Sequence, residues 1–517
     1  MDLYKNIGVY MIKKFLKKEN ILIFIIYILS LFWLSQKILN EISNKKIQIV
    51  LLGVAILSTI AMFFLFYILE KKYNEHKTFF IVGLTIGLLY TIFIPAIQGA
   101  TDELPHILRT YQITAGDIIV KNPDNNETEM PEELYNFSQY LVSLNIRYSK
   151  ENLFKSVDYN NKVNINNVDV ATGNSPILYI PQIIGMEISK IAHLSPVMTL
   201  MLVRLCNFII WLLLTTQAIK LFPIHKKTLS IFFIAPAVLS LVSTTNMDAL
   251  PLATITLFFA YIFKYKYTEE KIVNKDKIIL LILSLIFSTY KLFYPLLLIT
   301  ITFIPEKCFK NKKDKNIFVI IILLLSLGLD FLWYKLSMSA SSIVGNTLGA
   351  EQMNLILKRP IYYCYVLLNT YLNNFYYYIT NLFAGSEMCY QYAEIPSIFI
   401  ISYIVLFIYT LFNSEKNNIN FKKKEIAIIL IMFFTIIVLA STSLYIGWTV
   451  KLVGVGHDEI LGIQSRYYFA FVPLFVLLYK NKKRKFNNIV FKYIIMLNMI
   501  MLITTITSVV IGIMKLV

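Results

Sequence analysis

Long apolar runs, separated by short segments rich in lysine, dominate the chain. A helix that crosses a bilayer needs about 20 predominantly apolar residues, and shorter runs suit short or half-buried helices. The predicted spans, about 13 in number, are residues 21–39, 48–69, 78–98, 197–219, 228–245, 248–263, 278–291, 292–305, 316–336, 395–412, 425–446, 466–479 and 489–513. The pattern therefore predicts an all-α polytopic integral membrane protein.

The composition agrees with this class. Of the 517 residues, 57% are hydrophobic and only 15% are charged. Soluble domains are about 45–50% apolar and about 25% charged, so a soluble enzyme is excluded. A disordered chain is excluded as well, because disorder needs low hydrophobicity.

The basic residues predict the orientation in the membrane. Lys and Arg number 49 against 31 Asp and Glu, a formal charge of +18. Cytoplasmic loops collect Lys and Arg, which explains this charge without nucleic-acid binding. The basic segments are the N-terminus, Lys71–Lys77, His225–Lys227, Lys264–Lys277, Glu306–Lys315, Glu415–Lys424 and Lys480–Lys485. When all of them are placed inside, the spans alternate consistently, with the N-terminus in the cytoplasm and the C-terminus outside.

We expect one membrane unit over residues 1–517, with two large extracytoplasmic loops. Its parts are three N-terminal helices (20–98), a first outer loop (99–196), a helical core (197–336), a second outer loop (337–394) and C-terminal helices (395–517). The first apolar run is too long for a signal-peptide core and lacks a small-residue cleavage site, so we expect it to be a retained helix.

Three segments are predicted to lie in the membrane surface or to cross only part of the membrane. Ile177–Ile191 carries two charges, so we favour a re-entrant or interfacial helix over a span. Lys291 interrupts residues 278–305, which predicts two half-length helices with the lysine at their outer tip. Glu351–Phe383 predicts amphipathic helices, broken at Lys358–Pro360, that lie on the outer leaflet or cover a site as a lid.

An acidic motif follows the third span directly. Asp102, Glu103, His106 and Arg109 fall within two helical turns, and on a helix Asp102, His106 and Arg109 would share one face. Asp102 as a helix cap is the simplest interpretation. The functional interpretation is an acid–base site with nearby cations that stabilise an anionic substrate. A metal site is less favoured, because adjacent carboxylates point apart.

Further charged residues lie at the outer ends of other predicted spans. Asp248 could cap the next helix or supply a second carboxylate. Arg466 lies where the bias of basic residues toward the cytoplasm does not explain it, and arginine suits bidentate phosphate contact, although snorkelling to headgroups is the simpler explanation. With Lys291, acids and cations converge on one membrane face, which indicates a site for an anionic, lipid-linked substrate.

Six motifs in order resemble the bacterial domain-of-unknown-function 2142 membrane proteins. They are Asp102–Gly116, Ser175–Ile188, Arg204–Asn207, Asn246–Ala249, Tyr290–Leu296 and Ile463–Tyr468 with Pro473. The chain departs from the family pattern at Arg109-Thr-Tyr-Gln112, where the family has Ala-Tyr-Gln, and at Ser465, where it has glycine. The spacing of the Ser175–Ile188 motif matches only approximately.

This family is similar in layout to GT-C glycosyltransferases, which carry an acidic residue in the first large outer loop and use polyprenyl-phosphate sugars. The resemblance implies a GT-C-like fold in a bacterial cell membrane, with the active site outside. It also implies that a sugar moves from the lipid carrier to a cell-envelope glycan, a teichoic-acid-like polymer or a glycolipid. Three helices precede the acidic loop here, where the simplest GT-C layout has one.

The resemblance also implies roles for individual residues. Asp102 or Glu103 would be the general base, and Arg466 and Lys291 would meet the charge of the leaving phosphate. Asp248 and His106 would orient the acceptor or, with Asp102, hold a divalent cation such as Mg or Mn. The residues expected to bind substrate are His106, Arg109, Asp248, Lys291, Gln464, Arg466 and Tyr467.

Three other functions stay open. A flippase or polysaccharide transporter would place charged residues midway across the membrane. A polymerase of lipid-linked repeat units would share the donor and its site. A non-catalytic scaffold of the cell envelope would not depend on the acids.

Overall fold

The protein is described by a computed structural model that covers residues 18–71, 73–96, 102–119, 128–142, 150–164, 171, 173–337, 347–389, 394–413, 421–480 and 489–516. This part of the chain is nearly all helical. Strands β1 (Glu129–Pro131) and β2 (Lys162–Asn164) pair antiparallel within the first predicted outer loop. The basic N-terminal lysines, Thr101 and most of the basic segment 480–485 lie outside the described residues.

The α-helices up to residue 268 are α1 (Lys18–Glu41), α2 (Lys45–Glu70), α3 (Glu75–Phe93), α4 (Glu103–Thr114), α5 (Glu132–Val142), α6 (Lys150–Phe154), α7 (Ile180–Ile191), α8 (Pro196–Leu221), α9 (Lys226–Phe233), α10 (Pro236–Val242) and α11 (Ala249–Thr268). Those after it are α12 (Asn274–Ser288), α13 (Lys312–Ser337), α14 (Thr347–Lys358), α15 (Pro360–Asn373), α16 (Phe375–Asn381), α17 (Ser397–Asn413), α18 (Lys423–Leu444), α19 (Val450–Val453), α20 (Val472–Leu478) and α21 (Ile489–Leu516). A π-turn, Tyr445–Thr449, joins α18 to α19. The 3₁₀ segments are Pro176–Tyr179, Tyr294–Phe303, Glu306–Cys308, Ser386–Cys389 and Ser465–Phe471.

Seven helices of the described part are long and apolar enough to cross a membrane. They are Asn20–Glu41, Lys45–Glu70, Glu75–Phe93, Pro196–Leu221, Lys312–Ser337, Lys423–Val453 and Ile489–Lys515. Each coincides with one of the predicted spans. The prediction of a nearly all-helical membrane protein is confirmed, whereas thirteen full-length spans are not.

The remaining six predicted spans are helices that are shorter, broken or more polar. Pro236 begins α10 after a break from α9, Pro295 begins the 3₁₀ segment Tyr294–Phe303, and Pro473 lies at the junction of Ser465–Phe471 with α20. Proline lacks the N–H that an uninterrupted helix requires, so apolar runs that read as continuous in sequence are divided. Of these segments, Tyr294–Phe303, Ser397–Asn413 and Ser465–Leu478 are short apolar helices.

The centre of the bundle positions the first outer loop. Helix α8 packs against α3, α7 and α11, and α21 is buried over 94% of its most apolar window. Gly185 of α7 lies so close to α8 that an added Cβ would meet Val203 Cα at 2.8 Å. Glycine at this position therefore allows the short helix α7 to lie directly on α8.

The three segments predicted to be short or broken are short or broken in the structure, and their position relative to the membrane stays a prediction. Helix α7 has 12 residues, too few for a span. Lys291 lies in the turn between α12 and the 3₁₀ segment Tyr294–Phe303. The second predicted outer loop breaks at Pro360; its helices bury Tyr363 and Val366 and expose apolar residues such as Ile361, which is 85% exposed. These helices therefore pack on the protein through one face and offer an apolar face as well.

Basic segments that the sequence assigns to one side of the membrane contact one another. Lys266 pairs with Glu425 at 2.6 Å, and Lys277 pairs with Asp314 at 3.0 Å. His225 contacts the carbonyl oxygen of Tyr479 at 2.9 Å. These contacts group the loops at one end of the bundle, and the assignment of that end to the cytoplasm stays a prediction.

Candidate functional site

Arg466 lies between two carboxylates that come from distant parts of the chain. Its Nη2 atom is 2.7 Å from Asp102 Oδ2, and its Nη1 atom is 3.1 Å from Asp248 Oδ2. Asp102 immediately precedes α4, Asp248 immediately precedes α11, and Arg466 belongs to the 3₁₀ segment Ser465–Phe471. The structure thus brings three of the predicted site residues into one ion-paired cluster.

Asp102 occupies the cap position of α4 without acting as a cap. It has φ 63°, in the left-handed region, and its side chain makes no capping hydrogen bond. A non-glycine residue pays a conformational cost there, and such residues concentrate at functional sites. The backbone turn directs the carboxylate toward Arg466, and the side chain stays 36% exposed.

Asp248 likewise does not act as the cap of the helix that follows it, because Asn246 takes that role. The Oδ1 atom of Asn246 accepts the backbone N–H groups of Asp248 and Ala249, at 2.9 and 3.2 Å. The Asp248 carboxylate binds Arg466 and accepts a short hydrogen bond from the Tyr290 hydroxyl. Burial would raise the pKa of Asp248, but the charges of Arg466 and Lys291 outweigh burial and hold this pKa below its usual value.

Lys291 lies on the aromatic side of the cluster. Its Nζ atom is 3.7 Å from the ring centroid of Tyr467 and 4.9 Å from that of Tyr290. The Tyr294 hydroxyl donates to the carbonyl oxygen of Tyr467 at 2.8 Å and fixes the segment that carries this ring. Burial lowers the pKa of Lys291 to about 7, so its charge depends on pH in the neutral range.

Glu103 points away from Asp102 and belongs to a separate ion pair. Its two oxygens accept Nε and Nη2 of Arg204 at 2.7 and 2.5 Å, and Oε1 also accepts the backbone N–H of Thr245. Arg204 Nη1 donates to the carbonyl of Ile94 at 2.9 Å. Glu103 thereby ties α4 to α8 and to the ends of two other helices.

His106 and Arg109, which the sequence places on one face with Asp102, make their hydrogen bonds to other partners. His106 Nδ1 is 2.6 Å from the Tyr179 hydroxyl, and burial lowers the pKa of His106, which favours a neutral ring. Arg109 is fully buried and donates to the carbonyls of Asp117 and Ile118 at 3.1 and 2.7 Å. Arg109 therefore holds the loop after α4 through its backbone.

A metal site on the acidic motif is not formed by the described residues. Across that part of the chain, no group of three or more His, Cys, Asp or Glu side chains is placed to hold a metal ion. The reason is geometric, since Glu103 turns to Arg204 and His106 turns to Tyr179.

A cavity of about 420 Å³, counting its open mouth, borders Arg466. It is lined by Ala237, Ser240, Leu241, Thr244, Asn381, Glu387, Met388, Gln464, Arg466 and Phe469. Glu387 accepts the backbone N–H of Ser465 at 2.9 Å and its hydroxyl at 3.1 Å. The second predicted outer loop is thereby joined to the residue that precedes Arg466.

Sequence reasoning missed three residues that shape this region. Arg204 was part of a matched motif, but its pairing with Glu103 joins positions 101 residues apart. Tyr290 precedes Lys291, and only the fold brings its hydroxyl to Asp248. Nothing in the sequence singles out Glu387 except that it is an acid in an apolar segment. An acid in such a segment usually has a hydrogen-bond or ion-pair partner.

A search with protein-family models matches residues 84–478 to a family described as predicted membrane protein (DUF2142). The match spans the residues of the ion-paired cluster. No curated protein matches the chain. No solved structure matches it either. Because the family model covers well over half of the sequence, this chain belongs to the DUF2142 family of predicted membrane proteins.

Proposed function

We propose that this protein is a GT-C-type membrane glycosyltransferase that moves a sugar from a polyprenyl-phosphate-linked donor to an extracytoplasmic cell-envelope glycan, teichoic-acid-like polymer or glycolipid. One observation carries the proposal. Arg466 bridges two carboxylates, and one of them, Asp102, is 36% exposed while Asp248 is 4% exposed. A buried cation beside an accessible carboxylate suits phosphate departure coupled to proton removal.

The proposed reaction is a single displacement. Asp102 accepts the proton of an acceptor hydroxyl, and the hydroxyl oxygen attacks the anomeric carbon. The bond between that carbon and the phosphate oxygen breaks, and polyprenyl phosphate leaves with the bonding electrons. Arg466 and Lys291 stabilise the negative charge that develops on the phosphate. The configuration at the anomeric carbon is inverted.

Asp102 is proposed as the base in preference to Glu103. Both oxygens of Glu103 accept hydrogen bonds from Arg204, and the side chain is 2% exposed. A carboxylate committed in this way cannot approach an acceptor hydroxyl without breaking a buried ion pair, which is costly. The roles proposed for Asp248 and Tyr290 are to orient Arg466 and to hold the cluster together.

A transporter is less favoured by the positions of the charged residues. Transport sites usually lie near the bilayer midplane, at the junction of broken helices. In the predicted topology Asp102, Asp248 and Lys291 lie at the outer ends of spans and not midway across the membrane. A repeat-unit polymerase would use the same donor and the same cluster, so acceptor chemistry must separate it from a transferase.

Purified full-length protein in nanodiscs would test the proposal. Release of polyprenyl phosphate is measured with a panel of lipid-linked sugars and cell-wall polymer as acceptor. Asp102→Asn, Glu103→Gln and Arg466→Ala are compared with wild type and with Asp458→Asn, a control that neutralises a carboxylate 61% exposed in an outer segment. We expect release by wild type and the control, and loss in Asp102→Asn.

One result would contradict a transferase, and another would contradict only the assignment of Asp102 as the base. Tight donor binding without release in any protein would point to a transporter or scaffold. Full activity in folded Asp102→Asn would remove the proposed base. Transfer only to a second lipid-linked saccharide, and to none of the polymers, would favour the repeat-unit polymerase.

A further inference from the structure

Two residues that line the cavity beside Arg466 each carry a buried polar atom that has no hydrogen-bond partner among the described residues. These atoms are the Oε1 atom of Gln464 and the Nε atom of Arg466. Two other polar side chains of the lining are satisfied. Ser240 donates to the carbonyl of Met388 at 2.9 Å, and Asn381 Nδ2 donates to the carbonyl of Tyr377 at 2.9 Å. One acceptor and one donor therefore stay available.

The chemistry of these two atoms restricts the ligand. Gln464 Oε1 requires a donor, whereas Arg466 Nε requires an acceptor. An ionised phosphate only accepts, so it would match the Arg466 Nε atom and leave the Gln464 Oε1 atom without a donor. A hydroxyl group both donates and accepts, and neighbouring ring hydroxyls of a sugar present both functions side by side.

The size of the cavity limits how much of a sugar enters. The volume of roughly 420 Å³ includes the open mouth, and the enclosed part is large enough for only one or two water-sized groups. One or two hydroxyls fit such a recess, while the ring itself would stay at the mouth. Ordered water is the simplest alternative occupant, since water also donates and accepts.

The position of Arg466 identifies which sugar is involved. Its terminal nitrogens contact Asp102 and Asp248, where the proposed reaction takes place, and its side chain also lines the cavity. A donor sugar is bonded directly to the phosphate that this guanidinium would hold. Its ring must therefore lie next to Arg466, within reach of the cavity.

We propose that this cavity is the subsite for ring hydroxyls of the sugar carried by the donor, and that Gln464 determines specificity for one of them. The inference rests on the proposed function and extends it to the recognition of the transferred sugar. Glu387 acts as a positioning residue, because it holds Ser465 between Gln464 and Arg466.

The test compares a parent donor sugar with its monodeoxy analogues on a short polyprenyl phosphate. Wild type, Gln464→Met and Gln464→Glu are assayed in nanodiscs by phosphate-lipid release. Methionine keeps the length of the side chain and removes the acceptor, whereas glutamate keeps an acceptor. Asn373→Leu, on the exposed face of α15, is the matched control for loss of an amide.

We expect one deoxy analogue to lose about 10-fold to 100-fold in kcat/KM with wild type, because a site that binds a hydroxyl rejects the analogue lacking it. Gln464→Met should lose a similar factor in kcat/KM on the parent sugar and should show no additional loss on that deoxy analogue. Gln464→Glu should still distinguish the parent sugar from the analogue.

Equal losses of kcat/KM on every analogue would assign Gln464 a structural role and overturn the inference. If wild type uses every deoxy analogue as well as the parent sugar, the cavity holds water only. The inference is then overturned, while the proposed transferase function is retained. No release from any donor would reject the proposed function and the inference together.

Discussion

Asp102 and Glu103 are neighbours in the chain, but each pairs with a different arginine, and the two ion-paired clusters differ in their exposure to solvent. In the first cluster Arg204 pairs with Glu103, and their side chains are 0% and 2% exposed. In the second, Arg466 pairs with Asp102 and Asp248 and is itself 12% exposed, while Asp102 is 36% exposed. One step along the chain thus separates a sealed ion pair from an accessible one.

The difference lies in how fully each arginine is satisfied. Every guanidinium nitrogen of Arg204 donates to a protein acceptor. The Nε atom of Arg466 has no partner in the part of the chain that the structure describes. A buried pair with matched hydrogen bonds fixes the fold, whereas a cluster with spare capacity can accept a ligand. The structural cluster and the candidate catalytic cluster therefore differ less in charge than in whether all arginine nitrogens already have hydrogen-bond partners.

The largest effect is expected from breaking the sealed pair. Glu103→Gln leaves the Arg204 guanidinium buried without its counter-charge, which should cost about 3–5 kcal/mol of folding free energy. The Glu103→Gln, Arg204→Met double variant should lose less than the sum of the single losses, because it removes both charges. Thermal unfolding of purified protein in detergent measures this. Additive losses would show that the two side chains are not coupled.

Breaking the accessible cluster should affect activity instead. Asp102→Asn removes the proposed base and should lower the rate of phosphate-lipid release about 10²-fold to 10⁴-fold. Its unfolding temperature should stay close to that of wild type, since the side chain is partly exposed and makes no cap. A large stability loss with little change in activity per folded molecule would reverse the roles assigned to the two acids.

The pH dependence of activity tests the role of Lys291, the cation beside the accessible cluster. Burial lowers the pKa of Lys291 to about 7, so the lysine is charged below that pH and loses its charge above it. We expect kcat/KM to fall about tenfold per pH unit above about pH 7, because this ratio reports the free enzyme. Lys291→Arg should flatten the decline, since arginine stays protonated. Lys358→Arg, on exposed α14, should retain the wild-type profile.

The smallest effect is expected from replacing Asn246, which caps the helix in place of Asp248. Asn246→Ala removes the acceptor for the N–H groups of Asp248 and Ala249 and should cost about 1 kcal/mol of stability. It should also lower activity severalfold by loosening Asp248. Asn44→Ala is the matched control, because Asn44 caps α2 through Lys46 and Ile47. Equal activity in the two variants would show that the cap does not position the cluster.

Much of the fold follows from local sequence pattern. Seven apolar runs of the described part have the length and composition of membrane spans, and these properties are readable without a structure. Pro360 and Lys291 predicted breaks that the structure contains, because proline and a buried charge each interrupt a helix locally. The predicted count of about 13 spans is not confirmed, since apolar runs divided at Pro236 and Pro473 resemble intact helices in the sequence.

The sequence by itself determined the class of protein, the family motifs and the presence of acids and cations at helix ends. Only the tertiary structure decided which of them meet. Asp102 and Arg466 are 364 residues apart, and no periodicity relates positions on different helices. The left-handed backbone of Asp102 turns its side chain to Arg466, while Glu103, the first residue of the helix, reaches Arg204. Side-chain direction across packed elements depends on the whole fold, so the division between the two clusters could not be read from the chain alone.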